Sequence, residues 1–455
     1  MAKVHGRKRA LLLLSGASFG LVLAATAAAN AGGFALREQS AYGQGASFAG
    51  IAAGGALSSM FWNPATMTQQ KGLQFEQIFT GIMPYASHSP NATSTFAAFG
   101  AAGDSGDDAV VPAGYFSWQA TERLWLGMAV NSPFGLSVSF PDRWAGRTYA
   151  ENTFLRTYNF TPTVAFEMNK WISFGAGVQI QYATAGFTSG LPVNNAGVSG
   201  AASLTNTSNL QLNGWGYGFV AGVTITPTPT TTIGIGYRSA INQKADGSLS
   251  LPAGGIFGAP LSTPGGVETT LNLPDSVTVG LRQRLSKQWT LLAGFEWSNW
   301  SRIGTSQVTQ TANGAPARVV GTAVTIPFEY KDGYFYSLGG EYEWNERLTL
   351  RSGIAFEKSP IVDQVRTPRL PDNDRFWLSA GLTYRLTPKL SLDAAYTHIF
   401  VKDTSVALGP GTGNPSSSTT VSYSGSVDAH VDIVSLGIRY RFDDPATPVR
   451  QLYTK

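Results

Sequence analysis

Covalent chemistry or metal binding needs cysteines, histidines and carboxylates at workable spacing, and this chain offers few of them. Its 455 residues include no cysteine, which removes thiol nucleophiles, disulfides and sulfur-ligated metals together. The four histidines, His5, His88, His398 and His430, stand outside any Ser/His/Asp or metal-ligand spacing. The acid pairs Asp107-Asp108 and Asp443-Asp444 fall in a loop-like stretch and in a tail, where solvated charge is the simpler account. No catalytic residue, metal ligand or cofactor is expected, and a hydrolase would lack its constellation.

Binding is what remains. Of the 32 basic residues, Lys3, Arg7, Lys8 and Arg9 precede every acid, and without residues 1–31 the chain has 28 basic and 28 acidic residues. A neutral balance gives no basic face for phosphates, so nucleic acid is excluded as a partner. The same N-terminal stretch continues into an apolar run from Ala10 to Ala29 and ends in Ala29-Asn30-Ala31. Basic residues, an apolar run and small residues at the cut describe a secretory signal peptide, cleaved near Ala31, in preference to a membrane anchor.

The elements beyond it read as strands. Only 13% of residues are charged while 12% are aromatic, and no later apolar run is long enough for a spanning helix. Leu436, Ile438, Tyr440 and Phe442 alternate with Ser435, Gly437, Arg439 and Arg441. Ile172 to Ile180 and Trp289 to Trp297 show the same period of two, which also suits a soluble sandwich. Connection lengths separate the two. Short polar turns near Thr121-Glu122, Asn169-Lys170, Thr226 to Pro229, Ser286-Lys287, Asn345-Glu346 and Thr387 to Lys389 alternate with longer loops at roughly 85–107, 132–153, 188–212, 249–273, 301–329, 358–373 and 405–427. Seven hairpins with short turns at one end and long loops at the other give an all-β fold, a fourteen-stranded antiparallel transmembrane β-barrel. Its place is the bacterial outer membrane, which it crosses many times, with the short turns in the periplasm. Trp118, Trp125, Trp171, Trp289, Tyr384 and Tyr440 at strand ends suit an interfacial girdle.

Residues 32–71, ahead of the barrel at 72–442, are rich in glycine and alanine and end in Phe61-Trp62-Asn63-Pro64-Ala65. Fourteen strands enclose more space than side chains fill, so this segment is expected as an N-terminal hatch plugging the lumen. Residues 443–455 open with Asp-Asp-Pro, cannot continue a lipid-facing strand, and read as a periplasmic tail.

Gly33-Phe34-Ala35-Leu36-Arg37-Glu38-Gln39-Ser40, Ala49-Gly50 and Asn63-Pro64-Ala65 resemble the N-terminal hatch of the FadL-type outer-membrane long-chain fatty acid and hydrocarbon transporters. In the same order, Ser132-Pro133-Phe134-Gly135-Leu136 with Trp144-Ala145-Gly146-Arg147, Tyr158-Asn159-Phe160-Thr161-Pro162, Gly236-Tyr237-Arg238-Ser239, Asn272-Leu273-Pro274-Asp275-Ser276, Lys331-Asp332, Leu350-Arg351-Ser352-Gly353 and Arg369-Leu370-Pro371-Asp372-Asn373-Asp374-Arg375 are similar to that family. The resemblance implies a plugged barrel that takes up hydrophobic small molecules passively. Phe34, Asn63, Pro64 and Ala65 would serve the hatch, and an inward kink of the third strand, about Leu124 to Asn131 with Gly127 as its weak point, would open the wall. Its surroundings would be outer-membrane lipid and lipopolysaccharide. Leu436 to Phe442 would be the last strand read by the barrel-assembly machinery.

The loop from Ser248 to Leu261 is unusually apolar. Leu249, Leu251, Ile256, Phe257 and Leu261 read as a capture groove with the 188–212 loop, gaining roughly 25 cal/mol per Å² of apolar surface covered. Two substrate classes stay open. A fatty acid calls for a lumenal cation, for which Arg238, Lys331, Arg351 and Arg375 are candidates. A neutral aromatic or aliphatic hydrocarbon suits the 67 residues from Trp171 to Tyr237, none of them charged. A general porin or a surface adhesin is the alternative of another class.

Overall fold

Alternating sequences with no helical apolar stripe can satisfy their backbone groups inside a membrane only by closing a sheet on itself. The computed structural model describes residues 32–191, 207–251, 266–319, 322–418 and 420–443. It is a closed fourteen-stranded antiparallel barrel. In chain order the strands are β1 (Leu73–Pro90), β2 (Ala109–Gln119), β3 (Leu124–Asn131, resuming as Gly135–Ser139), β4 (Asn152–Asn169), β5 (Ile172–Gly190), β6 (Thr207–Thr228) and β7 (Thr231–Arg238, resuming as Ile241–Ser250). There follow β8 (Val267–Leu273, resuming as Ser276–Arg284), β9 (Trp289–Ser298), β10 (Gly333–Glu343), β11 (Leu348–Lys358), β12 (Arg375–Arg385), β13 (Leu390–Val401, resuming as Thr404–Leu408) and β14 (Tyr423–Arg441). Each pairs with its sequence neighbour, and the ring closes between β1 and β14 over Gln74↔Arg441 to Pro90↔Gly425. No helix among the described residues is long and apolar enough to cross a membrane.

Alternation sets which side chains face lipid. On β14, Val434, Leu436 and Ile438 are exposed outward, while Ile433 and Ser435 are buried inward. Trp118, Trp171, Trp289, Tyr384 and Tyr440 are exposed beside the short turns, as an interfacial girdle requires. Trp125 is a correction to that girdle. It is fully buried, its Nε1 donating to the Gln70 carbonyl at 2.9 Å. Its neighbour Leu126 takes the outward position, and the period of two then turns Trp125 inward.

Residues 32–71 lie inside the ring, since their partners come from strands all around it. The Ser58 N–H donates to Glu76 of β1 at 2.8 Å, Thr68 to Ser173 of β5 at 3.0 Å and Ser47 to Ser379 of β12 at 2.8 Å. The Gly50 N–H donates to Ala293 of β9 at 3.0 Å, and Gln44 to Ile433 of β14 at 3.1 Å. Short helical turns carry the segment, and almost all of it is buried. Two strand glycines show how tightly it is seated. A Cβ at Gly236 of β7 would collide with the Trp62 carbonyl, and one at Gly353 of β11 with that of Ala46, so the wall yields side-chain volume where the inner backbone touches it.

At β3 the wall pairing is interrupted on both sides. On the β2 side, β3 pairs from Gln119↔Trp125 to Gly114↔Val130 and meets that strand's leading loop again only at Gly106↔Val138. On the β4 side the register slips by one residue between Asn131↔Asn159 and Gly135↔Arg156. Ser132-Pro133-Phe134 fills this break, with a proline that has no N–H to give a ladder. Gly127 lies elsewhere. It pairs with Ser117 on one side and Thr163 on the other, so the ladder is unbroken there and the break in pairing falls at Ser132–Phe134.

Candidate functional site

The break is lined from within by the first residues of the inner segment. The Leu36 N–H donates to the Pro133 carbonyl at 2.8 Å, and the Gly135 N–H to the Phe34 carbonyl at 2.9 Å. Residues 34–36 thus supply the hydrogen bonds that β2 withholds. Gln39 adds a bond from Nε2 to the Ser132 carbonyl at 2.8 Å. Beside these contacts, Phe34 packs edge-on against Trp300 at 4.8 Å and Phe134 at 6.2 Å, and against Phe328 at 5.9 Å.

On the long-loop side of this aromatic cluster lies a cavity of about 390 Å³, a volume that suits small-molecule ligands. Phe34, Leu136, Phe187, Leu210, Leu249 and Phe328 belong to its apolar lining, and Thr153, Ser189 and Arg369 to its polar lining. A smaller cavity of about 60 Å³ adjoins it, sharing Phe34, Leu136 and Phe187 and reaching Leu155, Leu212 and Leu271. A third, also about 60 Å³, lies past the cluster and touches Pro133, Phe134, Arg37, Arg238 and Glu296.

Arg369 spreads its four terminal N–H groups over neutral oxygens. They donate to the Asn152 carbonyl at 3.3 Å, the Thr153 hydroxyl, the Thr188 carbonyl at 3.0 Å and the Ser189 hydroxyl. Burial pushes its guanidinium down to about 10, the direction expected of a cation without a close counter-charge.

Several other lumenal charges are paired with one another. Glu341 accepts from Arg282 at 2.6 Å and Arg351 at 2.7 Å, and Tyr42 of the inner segment donates to it at 2.5 Å. The Arg351 guanidinium lies 3.9 Å from the centre of the Tyr42 ring. Asp393 holds Arg439 at 2.6 Å, and Arg37 reaches Glu296 at 2.9 Å.

The expected site residues are therefore dispersed. Asn63 donates from Nδ2 to Ala52 at 2.7 Å and to Val223 of β6 at 2.9 Å, and accepts from the Ala65 N–H at 3.0 Å. Pro64 opens the helical turn that Asn63 caps, and Ala65 is fully buried. Arg351 is bound to Glu341, and Arg375 to Asp372 at 2.6 Å. Lys331 is exposed. Arg238 bonds the Phe61 carbonyl and Gln179 and stacks on the Phe61 ring. Leu249 lines the main cavity, and Leu251 packs beside Leu191. Ile256, Phe257 and Leu261 lie outside the described residues. Sequence reasoning missed Arg369, Trp300 and Tyr42; the proline in Ser132-Pro133-Phe134 was the local signal for the break.

Residues 22–442 match the model of the family described as outer membrane protein transport protein (OMPP1/FadL/TodX). The long-chain fatty acid transport protein of Escherichia coli K12 is 28% identical over 438 residues, covering 89% of this chain and 95% of that one. The solved structure of a Pseudomonas aeruginosa FadL homologue has a TM-score of 0.79 at 23% identity, covering 91% of this chain and 100% of the other. That of the Pseudomonas putida toluene transporter TodX has a TM-score of 0.66 at 17% identity, over 90% and 99%. A barrel walled around an apolar cavity, matched along nearly its whole length, belongs to the OMPP1/FadL/TodX family of outer-membrane transport proteins and is a channel for hydrophobic compounds, not an enzyme.

Proposed function

We propose that this channel takes up long-chain fatty acids: the substrate is captured at the outer loops, rests in the 390 Å³ cavity and leaves sideways through the break in β3. The observation that carries this reading is the contact of Phe34, which lines the cavity, with Phe134. One belongs to the inner segment and the other to the break, and backbone bonds join their stretches. A shift of residues 34–36 therefore opens the cavity floor and frees the break together. Residues 32–71 act as the hatch, with the Asn63-Pro64-Ala65 turn as its fixed base. Leu249 and Leu251, with Ile256, Phe257 and Leu261, form the capture groove. Fatty acid is preferred because relatives bear that name and the cavity has a cation in its lining.

Neutral hydrocarbon is the second reading, favoured by the uncharged stretch from Trp171 to Tyr237. The export signal ends near Ala31, the exterior meets lipopolysaccharide, and β14 is the strand handled by the barrel-assembly machinery. Uptake of labelled oleate and of toluene is to be compared in cells lacking their own such transporter, at matched surface levels. Oleate uptake competed by toluene is expected. Toluene entry alone would replace the fatty-acid reading, and a large stable conductance would replace both with a porin.

A further inference from the structure

We propose that Arg369 is the receptor for the anionic head group of the substrate, the carboxylate of a long-chain amphiphile lying in the main cavity. This rests on the uptake reading above and narrows its substrate class. Charged groups are buried in proteins when they are paired, and Arg37, Arg282, Arg351, Arg375 and Arg439 each have a carboxylate within 4 Å, while Arg238 bonds the neutral oxygens of Phe61 and Gln179. Arg369 has no such carboxylate among the described residues. Its nearest acid influence is Glu151, whose carboxylate is already engaged by Arg147. The undescribed stretches 192–206 and 252–265 contain no Asp or Glu.

Position supplies the second argument. Arg369 lines the cavity and keeps partial accessibility. The hydroxyls of Thr153 and Ser189 that it holds line it too. The two hydroxyls accept from Arg369 and keep their own O–H groups to donate to a carboxylate, which the guanidinium meets by exchanging one of its four neutral partners; a charge-assisted bond is about twice as strong as the neutral bond it replaces. Leu210, Leu249 and Phe328 line the same cavity and offer an apolar bed for the chain. Of the four cations singled out from sequence, Arg351 and Arg375 are bound to acids, and Arg238 lines the separate cavity beyond the aromatic cluster.

The test is equilibrium binding of oleate and of oleyl alcohol, which shares the chain but not the charge, to the purified full-length protein in neutral detergent. The unaltered channel should bind oleate more tightly, with the preference fading as pH falls below the carboxylate range. Arg369→Gln should weaken oleate about tenfold or more and leave oleyl alcohol within about twofold, and Arg369→Lys should restore part of the preference. Equal weakening of both ligands in Arg369→Gln would make the arginine a brace between β4 and β5 and overturn the proposal. Equal affinity of the unaltered channel for both would overturn it while sparing the channel reading. Binding of neither ligand would overturn both.

Discussion

The two halves of the lumen wall hold the inner segment by different forces. From β8 round to β14 and β1 ion pairs join the neutral bonds, with Arg282, Glu341, Arg351, Asp393 and Arg439 gathered around Tyr42 and with Arg37 clasped by Glu296. From β3 to β7 neutral bonds predominate, beside an exposed Lys71–Glu167 pair at the rim and the Arg238 bond to the Phe61 carbonyl. Asn63 bonds a backbone carbonyl of β6, Thr68 bonds Ser173, and Trp125 bonds Gln70. The wall behind them carries Asn159, Gln179, Gln181 and Gln243, which bond one another. Ion pairs in a low-dielectric lumen are costly to break one partner at a time, whereas neutral bonds exchange with water at about 1 kcal/mol each. The charged half is thus the anchor. The neutral half, which contains the break in β3, is where the segment can let go.

That contrast can be broken from either side. Glu341→Gln should have the largest effect. It leaves Arg282 and Arg351 facing Tyr42 without their shared acid, a loss of about 3–5 kcal/mol, seen as a lowered thermal midpoint and a standing conductance in planar bilayers. Glu38 comes next. Its carboxylate oxygens are buried with no hydrogen-bond partner among the described residues, and burial pushes it up to about 7. A carboxyl raised in the folded state stabilises below its unfolded value, and that stability is lost as pH rises toward 7, up to about 3 kcal/mol at ~1.4 kcal/mol per unit. The protection factors of residues 34–39, exchange corrected for its intrinsic pH dependence, should therefore be larger at pH 5 than at pH 8, and Glu38→Gln should abolish the difference. Asn63→Ala, on the neutral side, removes three bonds and should cost about 1–3 kcal/mol. It should raise conductance intermittently while leaving barrel insertion intact. Trp125→Phe should be smallest, about 1 kcal/mol for its single bond to Gln70, read from the same recordings. An Asn63→Ala effect as large as that of Glu341→Gln would remove the distinction between anchor and release side.

Much of the barrel was legible because strand alternation and tight polar turns are local properties. The six short connections follow from residues such as Asn169-Lys170 and Thr387 to Lys389, and the structure places strand ends beside each. Asn63-Pro64-Ala65 was legible as a capped turn for the same reason. Trp125 was misread because an aromatic near a strand end was weighed above the parity set by Leu126. Gly127 was misread because flexibility was sought in a glycine, when the ladder is broken by a proline and by a neighbour that withholds its pairing. Arg369 could not be distinguished from Arg351 or Arg375 in the sequence. Whether an arginine has an acid beside it is decided by strands far apart in the chain, and only the closed ring brings them together.

The slip in register at Ser132–Phe134 also bears on what the cell keeps out. A solute that turns sideways into the bilayer never needs the barrel to be hollow from end to end. The ionically anchored part of the plug can stay in place during transport. Greasy molecules can then cross one by one while salts, sugars and antibiotics meet a stoppered tube, so nutrient gain and envelope integrity do not compete for the same opening.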